Sequence, residues 1–102
     1  MLIDIDASLL TPTSAVGRIY GAVELAHLPR IGETVSLPLV ASAEWGFSDH
    51  LVVKHVIHPV GASAKPMLSL SDIVANDDAA ARSIALGLEQ AYGLFFDPYD
   101  QT

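Results

Sequence analysis

The hydrophobic period of this chain changes once, and that change limits what it can fold into. Up to about residue 70 apolar residues recur mostly at every second position; beyond Asn76 they recur at every third and fourth. A period of two places alternate side chains on opposite faces of a strand, whereas a period near 3.6 gathers them on one stripe of a helix. The order is therefore strands first, then one helix.

Residues 1–5 alternate, with Met1, Ile3 and Ile5 on one side and Asp4 on the other. A loop follows through Thr11, Pro12, Thr13 and Ser14. From Val16 to Leu28 alternation resumes, with Ile19, Val23 and Leu25 facing one way and Arg18, Tyr20 and Glu24 the other. Gly21 inside that run marks a bulge or a close backbone approach. Pro29 and Gly32 make the segment from Leu28 to Glu33 a turn, because proline presets φ and glycine admits a positive one. A strand carrying Val35, Leu37 and Leu39 on one face follows, then a loop or hairpin tip over residues 40–49. Leu51 to Val60 is dense in β-branched residues and closed by Pro59 and Gly61, and Pro66 to Leu70 forms one more short strand.

The helix is expected at about 77–92. Asn76 is a suitable N-cap, and Asp77 and Asp78 suit the positive end of the helix dipole. Gly93 is the natural stop, with Pro98 beyond it. Projected at 100° per residue, Ala80, Ala81, Ile84, Ala85, Leu88, Ala91 and Tyr92 share one arc, and Arg82, Ser83, Glu89 and Gln90 lie opposite. The strand-to-strand connections are too short for crossover helices, so pairing is expected to be mostly antiparallel. The reading is a single α+β domain over residues 1–102. A strand-rich part (1–70) forms a small bent sheet or partly open barrel of four to five strands. One C-terminal amphipathic helix lies over its face or open end, and an aromatic tail (93–102) follows.

Composition removes several functions. With 51% hydrophobic residues in 102, the chain has the apolar material for a core and is not a disordered one. Without cysteine there is neither a disulfide scaffold nor a thiolate metal site. A formal charge of −7 argues against binding nucleic acid, whose phosphates demand lysine and arginine. No window is long and apolar enough to span a bilayer, and the helix is too poor in basic residues to bind an anionic membrane. No basic residue precedes Arg18, so the segment lacks the positive region of a secretory signal, and the expected location is cytoplasmic.

Catalytic patterns do not emerge. Three of the four histidines, His50, His55 and His58, fall in one strand, but alternation and a rise of about 3.3 Å per residue keep any two from sharing an ion. A metal site would need His27 or a carboxylate from elsewhere, so none is assigned. His55 falls beside Leu51, Val53 and Ile57, which reads as a core histidine. Ser63-Ala64-Lys65 is one residue short of Ser-x-x-Lys, and Gly17 to Gly21 lacks the rest of any phosphate-binding loop. Asp77 and Asp78 are explained by the helix start, and Asp97 and Asp100 by a polar tail. No catalytic residue and no cofactor is expected.

Aromatic placement is more informative. Four of the seven aromatic residues crowd into positions 92–99, around the helix stop. Leu86 is the one large apolar residue on the polar side of the helix. Leu86, Phe95, Phe96 and Tyr99 are therefore the candidate partner-binding surface. Trp45, in a predicted loop, with Tyr20 and His55, makes a candidate pocket at the mouth of the sheet. The leading expectation is a small non-catalytic interaction domain that self-associates or binds a basic protein. The alternatives are a small-molecule binder or enzyme using that pocket, and a subunit of a larger structural assembly.

Overall fold

A computed structural model describes residues 1–61 and 64–99. Its seven strands are β1 (Leu2–Leu10), β2 (Ala15–Glu24), β3 (Thr34–Ser36), β4 (His50–Ile57), β5 (Met67–Leu70), β6 (Ile73–Val74) and β7 (Phe95–Pro98), with one helix, α1 (Asp78–Tyr92). They form one open sheet in the order β3-β4-β5-β1-β2-β7, with β6 continuing along β1 beyond β5. The class is α+β as read, but the sheet has more strands than the four or five expected. The two extra ones, β6 and β7, are two and four residues long. β6 is too short to show an alternation, and β7 falls in the segment read as an aromatic tail.

Pairing is mostly antiparallel. β1 also runs parallel to β5 and β6, because the chain leaves β2 on one side of β1 and returns from β4 on the other. The β1 alternation continues to Leu10, burying Ile3, Ile5, Ala7 and Leu9 and turning Asp4, Asp6 and Ser8 to the other face. β2 contributes Ile19 and Val23 to the buried side. Gly21 lies between them with φ 147°, and a Cβ there would stand 3.0 Å from Leu94. The close approach expected at Gly21 is thus the passage of the chain leaving α1.

α1 buries Ala80, Ala81, Ile84, Ala85 and Leu88 against this face, and Ala91 of the projected arc is exposed. Small side chains on the stripe let the helix lie close to the strands. Its N-cap is Asp77, one residue later than Asn76: the Asp77 carboxylate accepts from the Ala80 N–H at 2.8 Å. Asn76 instead uses its amide to donate to the Glu44 carbonyl, tying the helix start to a 3₁₀ turn at Ser42–Trp45. Gly93 adopts the left-handed conformation (φ 70°) and its N–H closes on the Glu89 carbonyl, ending the helix where expected.

The expectation for His55 is overturned. β4 pairs Val53 with Leu70 but His55 with Ser69, so one residue is inserted between them. This bulge puts Lys54 and His55 both outside and brings Val56, not His55 or Ile57, against the core. The inserted residue falls at Lys54-His55, and strict alternation carried through that pair assigns His55 to the wrong side. Helix and loops cover one face of the sheet; the opposite face of β1, β2, β4 and β5 carries no described helix or strand.

Candidate functional site

The aromatic tail is not a tail. After the Gly93 turn the chain lies antiparallel to β2, pairing Tyr20 with Phe95, Ile19 with Phe96, Arg18 with Asp97 and Gly17 with Pro98. Strand alternation then divides the aromatic cluster. Leu94 is fully buried and Phe96 packs half-buried towards α1, whereas Phe95 turns to the open face with 60% of its surface exposed. The four residues expected to make one surface therefore belong to two.

On the helix side, Leu86 and Phe96 line a cleft of about 230 Å³ together with Arg82, Ala85 and Glu89. An adjoining cleft of about 290 Å³ is lined by Ser14, Val16, Asp78, Arg82, Phe96, Pro98 and Tyr99. Arg82 and Phe96 are shared, so Leu86, Phe96 and Tyr99 form one continuous strip across α1 and β7. Leu86 is 53% and Tyr99 41% exposed. Arg82 stands one helical turn before Leu86, so its place beside the strip follows from helical spacing; the contribution of Val16 rests on the β2–β7 pairing and had no sequence signal. Asp78 and Glu89 flank the strip without a cationic partner, since the side-chain ion pairs among the described residues are Arg18–Asp6 and Lys65–Asp4.

The open face carries those two pairs. Arg18 Nε donates to Asp6 Oδ1 at 2.6 Å, and its guanidinium carbon lies 4.6 Å from the centre of the Tyr20 ring. The bond to Asp6 is the main reason the guanidinium is held above its ordinary pKa. Tyr20 in turn meets Phe95 at 5.5 Å between ring centres. A shallow cleft of about 320 Å³ there is bounded by Asp4, Asp6, Arg18, Tyr20, Lys65 and Phe95, among others.

Tyr20, Trp45 and His55 do not come together. Register sets His55, Ser69, Asp6, Tyr20 and Phe95 in one row across the open face, which leaves His55 three strands from Tyr20. Trp45 lies on the helix side, beside Leu39, Gly87 and Ala91 in an apolar groove of about 380 Å³. Near it the Tyr92 hydroxyl donates to the Pro38 carbonyl at 2.6 Å; burial first, then the neighbouring Asp49 carboxylate, pushes that phenol above its usual pKa.

Among the described residues no three histidine or acidic side chains are grouped as metal ligands. No described helix is long and apolar enough to cross a membrane. Ser63 of the Ser-Ala-Lys segment and Asp100 lie outside the described residues. No protein-family model, curated protein or solved structure matches this chain.

Proposed function

We propose that this chain is a small, non-catalytic protein-interaction domain that binds a basic protein partner in the cytoplasm. The observation that carries the reading is the strip of Leu86, Phe96 and Tyr99, half-exposed apolar surface crossing from α1 to β7 between the unpaired carboxylates of Asp78 and Glu89. Leu86, Phe96 and Tyr99 supply apolar anchors around Arg82, which both clefts share, and the two carboxylates set against that one cation favour the approach of a basic partner. Phe96 is fixed by the β2–β7 ladder and Leu86 by the helix, so the strip needs little ordering on binding.

The test is capture of a partner from source-cell lysate by the tagged wild type and by Leu86→Glu. The reading predicts a stoichiometric basic protein on the wild type, released by moderate salt and absent from the folded variant. Equal capture by both would remove the strip from the account.

A further inference from the structure

We infer that the free edge of β7 takes up an extended basic segment of the partner as an added strand, with basic side chains at alternate positions on either side of an apolar one. The inference rests on the basic-partner reading and specifies how that partner is held at the Leu86, Phe96 and Tyr99 strip.

Among the described residues β7 is the outermost strand on its side of the sheet. Tyr99 donates its N–H to the Val16 carbonyl, which sets the phase of the β2–β7 ladder. Bonding direction alternates along an antiparallel strand, so Asp97 and Phe95 also turn their backbone groups to β2. Phe96 therefore directs both its N–H and its C=O away from β2, to the open edge. An extended chain laid there can exchange two hydrogen bonds with Phe96, the pairing by which sheet edges capture peptides.

The side chains of such a strand meet a definite pattern of charge. A residue placed opposite Phe96 points its side chain to the side of the Phe96 ring, towards α1, and so do the residues two before and two after it. The central one meets Leu86 and Phe96; the outer two lie about 13 Å apart. Gly93 reverses the chain, so the start of α1 lies beside the end of β7. One cleft accordingly joins Asp78 to Pro98 and Tyr99, and the other joins Glu89 to Phe96. Asp78 and Glu89 stand about 16 Å apart along the helix, so one basic side chain at each outer position reaches one carboxylate. Arg82 lies between those carboxylates in sequence and lines both clefts. It repels a cation at the central position and leaves that place to an apolar residue.

The added strand is short, because Pro98 has no N–H to offer and ends the pairing soon after Phe96. A second copy is the poorer occupant. β7 contains no basic residue, so its edge does not meet the two carboxylates with opposite charge.

Titration of the isotopically labelled full chain with two capped synthetic peptides tests this, taken to about 5 mM, where a site of millimolar Kd is largely filled. Lys-Thr-Leu-Thr-Lys carries its lysines at the outer positions. Thr-Lys-Leu-Lys-Thr has the same composition and charge but turns them to the opposite face. The first is expected to shift the Phe96 amide, slow its hydrogen exchange and bind at least tenfold more tightly than the second. Methylating the backbone nitrogen of its leucine, which would otherwise donate to the Phe96 carbonyl, should weaken binding at least tenfold. Methylating the nitrogen of either threonine, which faces away, should not. Asp78→Asn combined with Glu89→Gln, both at exposed positions, should abolish the preference between the two peptides. An unperturbed Phe96 amide, equal binding of both peptides by the wild type, or tolerance of the methylated leucine overturns the inference. So does a Phe96 amide already protected without peptide, which would mean that a second copy occupies the edge. If the peptide fails while capture from lysate still depends on Leu86, the partner docks on the strip without adding a strand; failure of both removes the strip as well.

Discussion

Tyr20 and Phe95 face each other across the β2–β7 ladder, with ring centres 5.5 Å apart and planes tilted by 31°. The contact lies on the open side of the sheet, so it fixes Phe95 without burying it. A cross-strand aromatic pair of this kind contributes about 0.2–1 kcal/mol. A double-mutant cycle of Tyr20→Ala and Phe95→Ala should return a coupling in that range by urea unfolding. Phe96→Ala, which empties a place between β7 and α1, should cost more, about 1–3 kcal/mol. Equal costs for the two phenylalanines would mean that the alternation along β7 is wrong.

The helix phase gives a sharper contrast. Leu88 is fully buried on the apolar stripe, whereas Leu86, two residues away, projects into solvent. Leu88→Ala should lose about 2–5 kcal/mol, the transfer free energy of the side chain plus the cavity left behind. Leu86→Ala should stay within about 0.5 kcal/mol of wild type. Denaturant midpoints decide it, and a more damaging Leu86→Ala would contradict the exposed strip.

Much of this was readable beforehand, and the failures have a common cause. Long periodic segments announced themselves: β1 through Ile3 and Ile5, the β2 face through Ile19 and Val23, the helix through Ile84 and Leu88. The misread residues depend on one-residue events or on distant partners. His55 went to the wrong side because a bulge shifts parity without changing composition. Asn76 and Asp77 are equally good caps in isolation, and the Glu44 carbonyl, 32 residues away, takes up the first and leaves the second to cap. The aromatic cluster was visible as a cluster, but its division required knowing that residues 95–98 pair with β2. Leu86 was legible because helical projection alone exposes it.

β7 depends on a glycine. A Cβ at Gly17 would stand 2.5 Å from a Phe96 ring carbon, 2.6 Å from the Asp97 carbonyl oxygen and 2.9 Å from the Pro98 Cα. Two of those three neighbours are backbone, so the strand as a whole must move. Gly17→Ala should therefore destabilise by about 1–3 kcal/mol. It should also increase amide exchange at Tyr99, whose N–H donates to the Val16 carbonyl, leaving the centre of α1 protected. Uniform exchange across the chain would show that β7 is not a separable element.

Tyr92 gives the stability a pH dependence on the alkaline side. Burial and Asp49 raise its pKa above 10.0, so folding favours the neutral phenol. That contribution is complete below the unfolded value near 10 and is lost as pH rises through the folded value. Tyr92→Phe, which deletes the bond to the Pro38 carbonyl, should cost about 0.5–1.5 kcal/mol at pH 7. The gap to wild type should shrink above pH 10. A gap that stays constant with pH would mean that the hydroxyl is not the source.

The most direct test of the interaction-domain account is to map the bound surface itself. Amide chemical shifts of the isotopically labelled chain, recorded with and without the captured partner, should change at residues 82–89 and 96–99. Signals of β4 and β5 on the open face should stay still. Shifts confined to Trp45 and its groove, or to the row from His55 to Tyr20, would contradict the assignment of function to the Leu86, Phe96 and Tyr99 strip.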